Sequence, residues 1–181
     1  DLSAAVDLYG KAIAAVPEFP EAELQRANAL LSLSRTEEAE KGFRRALELR
    51  PEWTLALASL GSVLVGKGQF AEAENLLTQA VALADANTLA YSALPELRLR
   101  TNATPADLRE LLTRIEGLTS KAKPTASIWA ARGALENAVG DQKAARTSVD
   151  RALEIEPKNQ FALAAKANAA LDEGDTAAAE S

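Results

Sequence analysis

The sequence predicts an all-α fold, a solenoid of antiparallel helix pairs, and three observations lead there. The chain of 181 residues is 48% hydrophobic but only 4% aromatic. Most of that hydrophobic share is Ala and Leu, which with Glu, Arg and Lys lose least on entering a helix. A proline closes a similar apolar run three times, at Pro17 in KAIAAVP, Pro51 in RALELRP and Pro157 in RALEIEP, the first two 34 residues apart. A trio of small, larger apolar and small residues recurs at spacings of four and three: Ala5, Tyr9, Ala12; Ala39, Phe43, Ala46; Ala73, Leu77, Ala80; and Ala145, Val149, Ala152. Those spacings put all three side chains on one helical face.

The elements follow in order. A lone second helix, about Leu2 to Val16, carries the first trio. A pair follows at Pro20 to about Ser34 and Thr36 to Arg50, and another at Thr54 to Lys67 and Gln69 to Ala84. In the latter, Gly61 lets a neighbouring helix approach closely and Gly68 suits the left-handed residue that ends a helix. Gly133 and Gly140 repeat that spacing in the pair Ala126 to Val139 and Asp141 to Glu156. Gln160 to Glu173 begins one more pair, cut off just inside its second helix at Ser181. The chain divides, as one solenoid, into a partial repeat 1–19, repeats 20–53 and 54–87, a divergent repeat 88–125, a repeat 126–159 and a truncated repeat 160–181. Starting and stopping inside repeats suggests a segment of a longer array, or ends that pack on another domain or chain, because solenoids need polar caps.

The divergent repeat keeps the hairpin and changes its details. Pro95 takes the close-approach glycine position in mid-helix, where it removes a backbone hydrogen bond and predicts a kink. Thr104 before Pro105 is a strong helix start. Leu108, Leu112 and Ile115 then reproduce the trio with bulky residues in place of both alanines. The step from Thr88 to Ala126 is 38 residues, with a longer loop in TSKAKPT, so the superhelix should change pitch.

This pattern resembles the tetratricopeptide repeat over essentially the whole chain. Trp129 and Gly133 match that family's tryptophan and glycine of the first helix, Gly61 matches the glycine, and the trios with Pro17, Pro51 and Pro157 match its second helix. Leu60 fills the family's leucine position, whereas Arg26, Arg132 and Lys166 stand there in other copies. The resemblance implies a right-handed superhelix whose first helices line a concave, partner-binding surface.

Composition and motifs exclude much else. Twenty Lys and Arg against 26 Asp and Glu give a charge of −6, which offers no general attraction to phosphate backbones, so nucleic acid is not expected. No apolar stretch approaches the roughly 18 to 20 residues of a spanning helix, so direct membrane insertion is not expected. The absence of Cys leaves cytoplasm and periplasm both open, and without Cys or His the thiol nucleophile, the usual general base and the common zinc ligands are missing. No enzyme, cofactor or metal is therefore predicted. The segment GSVLVGKG, Gly61 to Gly68, nearly spells a phosphate-binding loop but ends in Gly68 and lies within a helix instead of between strand and helix. Acid pairs such as Glu37 and Glu38, or Glu110 and Glu116, read as solvated outer faces. Asn102, Ala103 and Thr104 form a glycosylation acceptor triplet that precedes Pro105 and is set aside. Trp129 is read as core, and Trp53 as bridging consecutive repeats.

Transferring the family's groove positions gives Glu21, Leu24, Gln25, Asn28, Leu31 and Ser32, then Leu55, Ala58, Ser59, Ser62 and Val65. Leu89, Ser92, Ala93, Glu96, Leu99 and Arg100 follow, with Ser127, Ala130, Ala131, Ala134, Asn137, Phe161, Ala164, Ala165, Asn168 and Leu171 beyond. The resemblance implies that co-chaperone relatives grip acidic chaperone tails with Lys and Asn; Asn28 alone survives of that set, so such tails are disfavoured. The lining is small and aliphatic, which suits an apolar peptide or amphipathic helix bound with little salt dependence. The same small residues would also serve tight packing of adjacent first helices. The expected function is a protein–protein interaction scaffold within a larger assembly, with a bacterial source suggested by the alanine-rich composition. Alternatives are a structural spacer that self-associates through uncapped ends, or a regulatory arm of an enzyme whose catalytic domain lies elsewhere.

Overall fold

The computed structural model describes residues 1–83, 88–120 and 123–172, and all regular structure among them is α-helical. The helices are α1 Leu2–Ala15, α2 Pro20–Ser32, α3 Thr36–Leu49, α4 Thr54–Gly66, α5 Phe70–Leu83, α6 Thr88–Arg100, α7 Pro105–Thr119, α8 Ala126–Ala138, α9 Gln142–Ile155 and α10 Gln160–Asp172. The expected helix start toward Ser181 and the side chain of Leu171 lie outside the described residues. The chain forms two compact units, Asp1–Ala90 and Tyr91–Ser181. In the first, α2 packs on α1 and α3, α3 on α4, and α4 on α5; in the second, α8 packs on α7 and α9, and α10 on both α8 and α9. Among the described residues no helix is long and apolar enough to cross a membrane.

Two local rules end the helices. First helices close on a residue with positive φ, Gly68 at +77° and Gly140 at +92°, as expected of glycine. Ser34 at 59° and Asn102 at 53° fill the same place in α2 and α6 without being glycine. All four endings share one bond, in which the following amide donates to a carbonyl five residues back: Arg35 to Leu30, Gln69 to Leu64, Ala103 to Arg98 and Asp141 to Glu136, at 2.8–3.0 Å. Three second helices, α1, α3 and α9, end where proline follows. Val16, Arg50 and Glu156, just before Pro17, Pro51 and Pro157, all adopt φ between −142° and −135° with ψ between 86° and 92°. Proline's ring forces that extended geometry on its predecessor and stops the helix. At α7, Thr104 and Asp107 form a reciprocal capping box, with Pro105 in the first helical position.

The trios face the core. Ala39, Phe43, Ala46, Ala73, Leu77 and Ala80 are all fully buried, and Ala145, Val149 and Ala152 nearly so. On α1, Ala5, Tyr9 and Ala12 are only half-buried; among the described residues it is α2 that packs against that helix. In α7, Leu108 and Ile115 are buried but Leu112 is half-exposed, and Leu111 takes its share of the core. A Cβ on Gly61 would stand 2.7 Å from Leu77 Cγ, and one on Gly133 would stand 3.0 Å from Val149 Cγ2, so both glycines permit close helix approach. In the first pair the roles are exchanged: Gly42 of α3 faces Ala27 of α2, whose Cβ would be 2.9 Å away. Helix α6 runs through Pro95, which is buried.

Candidate functional site

The first helices present the candidate surface, and their packing decides which side chains reach it. Leu24 and Val65 are 0% and 1% exposed and Ser59 is 7% exposed, so these three belong to the core and not to a lining, contrary to the sequence expectation. Helix α2 is covered by α1 as well as α3, and α4 by α3 as well as α5, which narrows the free strip. Gln25, Leu31, Leu55, Ser62, Glu96, Leu99 and Arg100 are exposed, and Asn28, Leu89 and Ser92 are half-buried. Leu31, Leu55 and Leu99 keep about 40% of their surface in solvent, at 39%, 42% and 39%.

In the first unit, Leu31 of α2 and Ser62, Val63 and Gly66 of α4 come together around an open recess of ≈ 510 Å³, edged by Glu37 and Lys67. A chain of charges ties this edge to the helices behind it. Lys67 Nζ donates to Glu40 Oε2 at 2.6 Å and lies 3.5 Å from Glu37. Glu40 also accepts from Arg44 Nε at 2.9 Å, and Arg44 donates both terminal nitrogens to Glu72 at 2.5 and 3.0 Å. The hydrogen bond from Lys67 leads in holding the Glu40 carboxyl below its ordinary range, against the opposing effect of burial. The Arg44 fork does the same for Glu72, and Glu40 raises Lys67 in return. At the next junction the Arg50 guanidinium lies 4.6 Å from the Trp53 ring centre and bonds Glu21 at 2.5 Å. Trp53 therefore stands where the end of α3 meets the start of α4.

In the second unit, a recess of ≈ 430 Å³ lies among α8, α9 and α10, with Leu99 of α6 at its rim. Its buried and half-buried walls are Gly133, Ala134, Ala145, Val149, Ala165 and Ala169, and its exposed rim carries Asn137, Gln142, Arg146, Asp150, Lys166 and Asn168. Five positions expected on the first-helix face, Leu99, Ala134, Asn137, Ala165 and Asn168, meet here.

Behind it lies a polar cluster for which the sequence offered only one sign, Arg132 in a leucine position. Glu136, 2% exposed, accepts from Arg132 Nε at 2.7 Å and from Ser148 Oγ at 2.6 Å. Arg132 also donates to Thr119 Oγ1 at 2.9 Å and stacks 5.4 Å from the Trp129 ring centre. Trp129 is partly buried against Ala126, Ala130, Val149, Ala152 and Ala162. The bonding requirements of this buried acid are met by neighbours on α8 and α9, which gives it a structural role.

Residues 22–52, α2 and α3 with the following turn, match the tetratricopeptide repeat family profile. Human tetratricopeptide repeat protein 6 is 26% identical over 161 residues, 87% of this chain and 30% of that protein. Among solved structures, the Cut9–Hcn1 hetero-tetramer of the APC/C aligns with a TM-score of 0.81 at 18% identity, over 98% of this chain and 35% of that one. YrrB, described as a TPR protein with an unusual peptide-binding site, aligns with a TM-score of 0.61 at 25% identity, over 91% of this chain and 83% of that one. The chain thus spans about a third of the length of the human relative and of the APC/C chain.

Proposed function

We propose that this tetratricopeptide-type α-solenoid is part of a protein–protein interaction scaffold, and that its first-helix faces take an apolar peptide or an amphipathic helix. The observation that carries the reading is the exposure of Leu31, Leu55 and Leu99 on helices whose other faces are already packed. Their neighbours on that surface, Gln25, Asn28 and Ser62, are small neutral hydrogen-bonding groups, and the cation Arg100 is bonded to Glu96 at 3.2 Å. Covering the free part of each leucine contributes on the order of 1 kcal/mol before ordering costs. Affinity must then come from several such contacts together. YrrB, a structural relative, is described by its peptide-binding site, which supports the same use of the fold here.

The test compares capture from a native lysate by the chain and by a Leu31→Arg, Leu55→Arg variant of equal helicity. Proteins held by the parent, retained in about 0.5 M salt and lost by the variant would support the reading, because screening at that ionic strength removes weak charge contacts. Identical captures by both would sink it. A second reading, a self-associating spacer, is favoured by Phe161 and Leu163, which α10 leaves 70% and 46% exposed. Sedimentation that depends on concentration, and is abolished by Phe161→Asp, would select it.

A further inference from the structure

The fourth residue of a first helix is apolar or aromatic in four places: Leu57 in α4, Tyr91 in α6, Trp129 in α8 and Leu163 in α10. In α2 it is Glu23. The position is nonetheless a packed one: Glu23 is 8% exposed, and its backbone oxygen would lie 3.4 Å from a Cβ on Gly42 of α3. A carboxylate held there needs a bonded cation or donor, since burial disfavours its charged form. Two arginines are near, and both are turned elsewhere. Arg45 of α3 donates to Glu48 at 2.8 Å and is also drawn to Glu18. Arg26 lies against α1, where its buried Nε has no acceptor and would stand 3.9 Å from a Cβ on Gly10. Among the described residues no donor bonds the Glu23 carboxylate, and no charged side chain of α1 acts on it. Burial outweighs the two arginines and pushes the Glu23 carboxyl above the ordinary 4.5.

We infer that Glu23 makes the α2–α3 pair a proton-responsive joint, which tightens when the carboxylate is neutralised. Ionised, Glu23 is a charge held against the pair without a bonded partner, and it opposes the packing of α2 on α3. Taking up a proton removes that cost and leaves the packing unopposed. An acid whose folded value is raised binds its proton more tightly when folded, so the pair gains stability as pH falls through that value, and the gain is complete at the unfolded value of 4.5. Glu40 and Glu72 act in the opposite sense and lower down, because their lysine and arginine partners hold them below 4.5. The joint therefore works in the mildly acidic range, before those fastenings begin to fail. It does not depend on what the first-helix faces bind.

The test is hydrogen exchange of the full chain, read peptide by peptide as protection factors at about pH 7 and about pH 5. In the parent, protection of α2 and α3 should rise at the lower pH relative to α8 and α9, whose buried acid Glu136 is already bonded to Arg132 and Ser148. Glu23→Gln removes the charge at nearly constant shape. It should protect α2 and α3 more than the parent does at about pH 7, and the difference should shrink at about pH 5. Should Glu23→Gln fold poorly, Glu23→Leu, which installs the residue of α4, carries the comparison, and it too should lose the pH dependence of α2 and α3. A parent in which protection of α2 and α3 keeps step with α8 and α9 at both pH values would overturn the joint. So would a ratio of parent to variant that stays the same at both.

Discussion

Gly61 and Gly66 lie in the same helix, and the chain uses them in opposite ways. A methyl group on Gly61 would meet Leu77 Cγ at 2.7 Å and Cδ2 at 2.8 Å, and Leu77 is fully buried with no room to withdraw. A methyl group on Gly66 would meet nothing within 4 Å. Overpacking costs about 1 to 3 kcal/mol, whereas replacing a helical glycine by alanine returns up to about 1 kcal/mol of backbone entropy. Gly61→Ala should therefore lower the urea midpoint by an amount equivalent to about 1 to 2 kcal/mol, and Gly66→Ala should raise it. Movement of both in the same direction would show that propensity and not contact sets the balance. Close approach at Gly61 was legible in the sequence because glycine there has few other uses. Gly42, which does the same work from the opposite helix, was not, since its partner Ala27 is named only by the packing. Ser34 and Asn102 were equally hidden, because a positive φ at a non-glycine residue is imposed by the turn around it.

At the scale of elements, the charges Lys67, Glu40, Arg44 and Glu72 fasten α3 to the end of α4 and to the start of α5. Glu40 and Glu72 have folded pKa values below the ordinary 4.5. A carboxyl depressed in this way adds stability that is fully present above its unfolded value and is lost as pH falls through its folded value. Lys67 is raised above 10.5, so its share is present below that value and disappears only as pH climbs through the folded one. Between pH 5 and about 3 the parent should thus lose melting temperature faster than a Glu40→Gln, Glu72→Gln variant. Parallel curves would mean that the fastening adds nothing measurable. Helix identity and order were legible because proline, glycine and the trios mark them locally. The exposed strip was not: Leu24 differs from Leu31 and Leu55 only in what the neighbouring helices cover. The recess beside Val149 and Ala169 was likewise invisible, since it is defined by three helices together.

Across the whole molecule, burial is unevenly distributed. Leu30, Phe43, Leu60, Leu64 and Leu77 of the first unit and Leu97, Ile115, Ile128 and Leu135 of the second are fully buried, whereas the cluster where α10 meets α8 and α9 is built on Ala126, Ala130, Val149, Ala152 and Ala162. Alanine removes far less apolar surface from water than leucine or phenylalanine, and a solenoid's stability is close to a sum of repeat and neighbour contributions. Amide exchange should therefore be graded along the chain, fastest in α10 and slowest in α2 to α5. The Arg132, Glu136 and Ser148 cluster refines that order. It joins α8 to α9 through a buried acid, and breaking it would leave Glu136 without partners, so these two helices should open together after α10 has frayed. Exchange followed by mass spectrometry, peptide by peptide, resolves the three classes. If α10 is protected as long as α4, an alanine core is no weaker here than a leucine one. If α9 exchanges with α10 and ahead of α8, the polar cluster does not hold the pair.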